Sequence, residues 1–182
     1  LVTLSDRHPA SHDRLDDGSR DSTRQGRSDP AGADPDHDHR EAHTAENCYK
    51  GLAGFFLAFN EYDTGDENTG FKLPSYPKYD VPIVMTDLAI DPLTGQAALD
   101  LKTDTGHLGD KYLVNGKIQP YHVVSKRRYR FRMLDMGPSR FYELFITNPD
   151  NPKQVIPFWR ISNDGNLYEK PLQVNSMKLA PA

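Results

Sequence analysis

From residue 52 onward, apolar residues come in strand-length runs separated by turn chemistry, and no long amphipathic helix competes with them. The candidate strands are Gly54–Phe59, Asp80–Ile90, Tyr112–Val114, Arg128–Leu134, Phe141–Ile146, Val155–Ile161 and Leu172–Leu179. Asn115-Gly116 is a hairpin signal, because both residues tolerate the positive φ of a type I′ turn. Asp91–Gly95 and Asp164-Gly165 read as further turns. Pro82 lacks an N–H, which places the start of its strand at an edge. In Arg128–Leu134 the residue types alternate strictly. That predicts Tyr129, Phe131 and Met133 on a buried face, and Arg128, Arg130 and Arg132 on a wet or interdomain face. Trp159, after Pro157-Phe158 in an apolar run, is expected in the core. Short strands at this spacing point to an all-β, antiparallel sandwich.

Residues 1–36 read differently. They hold eight Asp and five Arg, but no Glu, Lys, Phe, Tyr or Trp. A stretch that buries so little apolar surface cannot offset its chain entropy, so the expectation is a tail without regular structure. Arg without Lys and Asp without Glu is also what coding sequence read in the wrong frame would give. The formal charge of −4 and pI ≈ 6.0 argue against a nucleic-acid binder held by phosphate contacts. A mean hydropathy of −0.72 and the lack of any run of ~18 apolar residues argue against a membrane-spanning helix. The single cysteine, Cys48, rules out an internal disulfide framework and a thiolate zinc cluster. The chain opens on Leu1 with no signal-peptide pattern, which suggests a piece of a longer protein.

The chemistry concentrates at Asp36-His37-Asp38-His39-Arg-Glu-Ala-His43. Two histidines one residue apart point to opposite faces of a regular strand. On a bend they can converge on one metal, or each can reach a different metal of a cluster. Imidazole suits copper, zinc and iron, and Asp38 or Glu41 could accept a hydrogen bond from a ring N–H. On its own the His-x-His pattern is equally that of a solvated polar loop. A cupin-type site needs a Glu separated from the second His by three or four residues, where this chain has His43 and Thr44. A zinc hydrolase using His37, His39 and His43, with Glu41 or Glu46 as base, finds no recognisable oxyanion site elsewhere. His43 reads as a solvated or capping residue, and His107 and His122 as structural.

His37-Asp-His39 is followed by Thr44, Asn47, Tyr49 and Gly51-Leu-Ala-Gly-Phe55. This resembles the second histidine motif of the multicopper oxidases, in the branch of the spore-coat laccases and bilirubin oxidases. Thr44-Ala-Glu-Asn-Cys-Tyr-Lys-Gly51 is most similar to the bilirubin oxidases. The likeness runs on through Lys72-Leu-Pro-Ser75, Tyr79-Asp-Val-Pro-Ile83, Leu113-Val-Asn-Gly-Lys117, Lys126–Arg132 and Ser162-Asn-Asp-Gly-Asn166 to Leu179-Ala-Pro-Ala182. It covers residues 37–182.

The resemblance implies an incomplete cupredoxin-like, Greek-key β-sandwich. It assigns 37–62 to the end of a first cupredoxin domain, 63–78 to a linker, and 79–182 to a second cupredoxin domain truncated at its C-terminus. The second domain of the family is mainly a spacer. By the same resemblance His37 and His39 are type 3 copper ligands, each on a different copper of a trinuclear cluster, and Asp38 orients a ligand histidine. The implied function is part of a copper-dependent oxidoreductase that oxidises phenolic, aromatic amine or bilirubin-type (tetrapyrrole) donors and reduces dioxygen to water. It implies the remaining cupredoxin domains as partners, a secreted, periplasmic or cell-surface location, and no nucleic acid or membrane partner. No His flanks Cys48, so it is not the blue-copper thiolate, and type 1 copper ligands are absent. Cys48 reads instead as a half-buried residue near a turn. The family's aromatic strand before the first of these histidines is replaced by Asp34-Pro35-Asp36, so His37 is expected to lack the strand that holds it. Gly54–Phe59 is expected to be an orphan strand. The alternative function is a catalytically inactive sandwich with a spacer role and at most weak metal binding.

Overall fold

The computed structural model describes residues 2–7, 32–100, 102 and 106–181. Twelve strands and one short helix follow in order. They are β1 (Val2–Arg7), β2 (Gly32–His37), α1 (Thr44–Tyr49), β3 (Ala53–Ala58), β4 (Asp80–Leu88), β5 (Lys111–Val114) and β6 (Lys117–Ile118). Then come β7 (Arg130–Asp135), β8 (Phe141–Asn148), β9 (Asn151–Val155), β10 (Phe158–Asn163), β11 (Asn166–Val174) and β12 (Met177–Leu179). The all-β expectation holds.

One sheet runs β6-β5-β4-β7, and a second joins β1, β8 and β12, with β9 also on β8. Met85, Tyr142 and Leu144 form the buried centre between them. Ile83, Tyr112, Val114, Met133, Met177 and Leu179 pack against it. Each sheet therefore contributes alternate side chains to one shared core. β10 and β11 form a separate hairpin, and β2 pairs with β3.

The turn chemistry acts as written. Asn115 and Gly116 have φ of 48° and 75° and join β5 to β6 in the register Val114↔Lys117. Asp164 and Gly165, at 44° and 77°, close the β10–β11 hairpin. The Asp91 carboxylate accepts the Leu93 and Thr94 N–H groups in the third turn. Pro82 lies in β4 before its pairing with β5 begins at Met85. On that open side the Asn115 side chain stands in for a neighbouring strand. Its Oδ1 accepts from Val84 N–H at 2.8 Å, and its amide donates to the Pro82 carbonyl at 3.1 Å.

Five expectations are corrected. The first concerns the tail. The backbone at 2–7 and 32–37 is strand, with β1 antiparallel to β8 and β2 antiparallel to β3. The rest of the expectation, over residues 8–31, lies outside the described residues. The second follows from it: Gly54–Phe59 is no orphan, because β2 and β3 pair from Gly32↔Ala58 to His37↔Ala53. That ladder also gives His37 a strand to hold it. Two strands make a ribbon with little interior, and Leu52 and Phe56 are accordingly exposed.

The third correction concerns β7: Met133 packs against the core as expected, but the arginine face is buried rather than wet. Arg130 and Arg132 are buried, at 6% and 5% exposure, while Phe131 is 38% exposed. Alternation is right, but polarity does not say which face turns inward when a carboxylate waits there. Asp80 begins β4, and its parallel partner in the register is Arg130. Arg132 grips Asp80 side-on, Nε to Oδ1 at 2.9 Å and Nη2 to Oδ2 at 2.7 Å. Arg130 Nη1 donates to Asp63 Oδ2 at 2.5 Å. Two arginines and two aspartates cancel in charge, which is the condition for burying them at all. Arg132 also stands over the Phe59 ring, 5.3 Å from its centre. Only Arg128 points outward, donating to the Lys72 carbonyl at 2.6 Å.

The fourth and fifth are smaller. Trp159 is 62% exposed rather than core, on the two-stranded β10–β11 hairpin. The Val155–Ile161 run is broken at Ile156-Pro157 into β9 and β10, and Leu172–Leu179 is broken at Asn175–Ser176 into β11 and β12.

Candidate metal centre

His37 is the last residue of β2, and the chain leaves strand geometry at Asp38. The period of two therefore ends between the histidines, and their rings come to the same side. They stack with centroids 4.4 Å apart and an interplanar angle of 24°. An imidazole lone pair lies in the plane of its ring. Two nearly parallel planes at that separation share no point ~2 Å from both rings, the length of a metal–nitrogen bond. As placed, the two rings do not converge on a single ion.

His37 Nδ1 lies 3.1 Å from the main-chain carbonyl of Asp38. The Asp38 carboxylate is engaged elsewhere: Oδ2 accepts from the Asn47 amide at 2.8 Å and from Arg40 N–H at 3.2 Å. The Asn47 amide holds the Asp38 carboxyl below the usual carboxylate range. Asp38 thus meets the histidine through its backbone and not through the side chain that the sequence suggested. Cys48 Sγ is 3.6 Å from the same Nδ1. Burial pushes its thiol up, away from the thiolate form a metal would need. Cys48 is half-buried and near a turn as expected, on helix α1 just before the Lys50-Gly51 turn.

Helix α1 connects this loop to the sandwich through three consecutive residues. Asn47 reaches Asp38 and Cys48 reaches His37, while Tyr49 points the other way. The Tyr49 hydroxyl donates to the Ala98 carbonyl at 3.0 Å and accepts from Ala89 N–H at 2.8 Å. His107 Nε2 stands 3.0 Å from the same hydroxyl, and His107 Nδ1 accepts from Asp100 N–H at 3.2 Å. With Nδ1 accepting, a neutral His107 carries its proton on Nε2 and donates to Tyr49. His107 is structural, as expected. His122 is exposed. His43 sits at the start of α1 without a side-chain cap and lies 3.9 Å from Glu46.

The sequence reading singled out His37, His39 and Asp38 but gave Asn47 and Tyr49 only as markers of spacing. The available signal was the helical register of residues 44–49, which sends Asn47 and Tyr49 to different neighbours. Among the described residues no group of three or more His, Cys, Asp or Glu could hold a metal ion. The donor chemistry still suits copper: two imidazoles side by side, one already hydrogen-bonded at Nδ1. The pair fits as part of a ligand set shared with other residues. Among the described residues, no helix is long and apolar enough to cross a membrane.

No family model matches the chain. It is 33% identical over 151 residues to a bilirubin oxidase of Albifimbria verrucaria, covering 80% of this chain and 25% of that protein. It is 34% identical over 157 residues to a laccase of Bacillus subtilis (strain 168), covering 80% of this chain and 28% of the laccase. A cell division protein FtsP of Edwardsiella tarda is 33% identical over 146 residues, with 80% and 28% covered. Among solved structures, the 2F4 variant of the multicopper oxidase McoA from Aquifex aeolicus superposes with a TM-score of 0.75 at 31% identity. The match covers 84% of this chain and 32% of that one. The fold is the cupredoxin-type sandwich of these oxidases. A histidine pair on a strand-to-loop bend, a helix that ties it to a β-sandwich, and these relatives agree: the chain belongs to the multicopper oxidase family, and it spans about a quarter to a third of the length of the relatives it matches.

Proposed function

We propose that this chain is part of a copper-dependent, laccase-like oxidoreductase in which His37 and His39 each hold one copper of a type 3 pair. The observation that carries the reading is the stacked pair of rings at the end of β2, whose nearly parallel planes suit two ions better than one. When bound, the copper cluster of such an enzyme supplies the electrons that reduce dioxygen to water. The chain's own part is geometric. β2 and β3 anchor His37, the Asp38 carbonyl orients its ring, and Tyr49 ties the supporting helix to the sandwich. In this reading residues 37–62 end a first cupredoxin domain, 63–78 link, and 79–182 form most of a second. Phenolic, aromatic amine or tetrapyrrole donors would be oxidised in the assembled protein, with further cupredoxin domains bringing the remaining ligands. Its relatives' resemblance favours a location outside the cytoplasm.

The test is Cu(II) titration of the chain followed by absorption and EPR. The expected result is weak binding abolished by His37→Ala with His39→Ala, and no intense blue band. Binding that survives the double substitution would sink the assignment.

A second reading is a spacer without redox activity. The observation favouring it is the FtsP relative, which carries a cell-division name at the same identity as the bilirubin oxidase. Oxygen uptake by the full-length parent protein with a phenolic donor separates the two.

A further inference from the structure

Asn47 touches neither histidine, yet it controls the group that does. Its amide donates to Asp38 Oδ2 across nine residues of sequence, at 2.8 Å. With Arg40 N–H on the same oxygen, the Asp38 side chain is held from two directions. That leaves the Asp38 peptide carbonyl facing His37 Nδ1 at 3.1 Å. A carbonyl oxygen can only accept. The contact is therefore a hydrogen bond only if His37 carries its proton on Nδ1, and a neutral imidazole in that form has its lone pair on Nε2. The Cys48 thiol lies over the same nitrogen and directs its S–H toward the same carbonyl, at 4.0 Å. The Nδ1 edge of His37 is thus turned to protein.

We propose that Asn47 is a positioning residue for His37: by holding the Asp38 side chain it sets the Asp38 carbonyl on Nδ1, which fixes Nε2 as the nitrogen offered to copper. The copper part of this rests on the proposed function above; the ring orientation does not. Asp38 lies between the two histidines, so the same clamp sets the spacing of the stacked rings. The residue type matters. Aspartate at position 47 would set two carboxylates against each other, and alanine would leave Asp38 with only the Arg40 N–H. Groups that hold a ligand histidine in one tautomer commonly change metal affinity by ~10–100-fold when removed.

The experiment is long-range ¹H–¹⁵N NMR of the histidine rings in the metal-free chain, for the unsubstituted protein, Asn47→Ala and Cys48→Ala, with Cu(II) titration of each read by EPR. The expected result is a single His37 tautomer with the proton on Nδ1 in the unsubstituted protein. Asn47→Ala should give a mixture of tautomers and about ten-fold weaker Cu(II) binding. Cys48→Ala should keep the Nδ1–H form, since the carbonyl and not the thiol sets it. A proton on Nε2 of His37 in the unsubstituted chain overturns the proposal without any variant. So does an Asn47→Ala protein with unchanged tautomer and unchanged copper affinity. If the tautomer responds to Asn47 but EPR shows no histidine-dependent copper, Asn47's hold on the ring is supported and the copper assignment fails.

Discussion

The histidine loop and the interior of the sandwich handle charge in opposite ways. Around His37 the polar groups are half-exposed and satisfied by neighbours no more than eleven residues away in sequence. Inside the sandwich, Asp63, Asp80, Asp87 and Asp135 are almost completely buried. Asp63, Asp80 and Asp87 take arginine partners from 52 to 67 residues away, and Asp135 accepts from Gly137 N–H. The loop can afford imprecision because water completes its hydrogen bonds; the interior cannot, because an unpaired buried charge costs several kcal/mol. The loop is thus free to present chemistry, while the interior is committed to holding the sheets in register.

The largest expected effect breaks the interior. Asp80→Ala leaves Arg132 buried without its carboxylate and should lower stability by about 3–5 kcal/mol in urea unfolding. A loss under 1 kcal/mol would mean that the pair is solvated in solution.

Next comes the joint between the two regions. Tyr49→Phe removes the hydroxyl that serves Ala89 N–H, the Ala98 carbonyl and His107. The expected cost is about 2 kcal/mol, with faster hydrogen exchange at the Ala89 amide. Unchanged exchange there would show that helix α1 is not tied to the sandwich.

The pH dependence of the interior is a third measure. Burial raises Asp135 from 3.8 to about 8, the neighbouring Asp87 adds to the rise, and Gly137 N–H and Arg140 oppose it. Between those two values the folded chain keeps a proton that the unfolded chain releases. The stabilisation is fully present below about pH 4 and is lost as pH rises toward 8, by on the order of 1 kcal/mol per pH unit. Asp135→Asn should flatten that slope, and denaturation midpoints across pH 5–9 would reveal it.

The smallest expected change is at the loop. His39→Ala should alter stability by no more than ~0.5 kcal/mol while removing one imidazole from the proposed copper-binding pair. A large loss of stability there would erase the contrast between the two regions.

Much of this was legible in the residues themselves. Asn115-Gly116 and Asp164-Gly165 dictate their hairpins because few pairs tolerate two positive φ values in succession. His37-Asp38-His39, with Asn47 and Tyr49 beyond it, marks the site because the contacts that shape it are local. The face of Arg128–Leu134 was not legible. Alternation defines two faces, but only the arrival of Asp63 and Asp80 from other segments buries the arginine face. The exposure of Trp159 is of the same kind, since apolar character does not reveal whether a second layer exists to cover it.

The amino-acid order alone therefore determined the strand periodicity, the turns and the pairing of two histidines, all set by steric and hydrogen-bonding rules that act over a few residues. The tertiary structure decided which charges are buried, and which atom of Asp38 meets His37. Those outcomes depend on groups distant in sequence or on a backbone direction that side-chain identity does not encode.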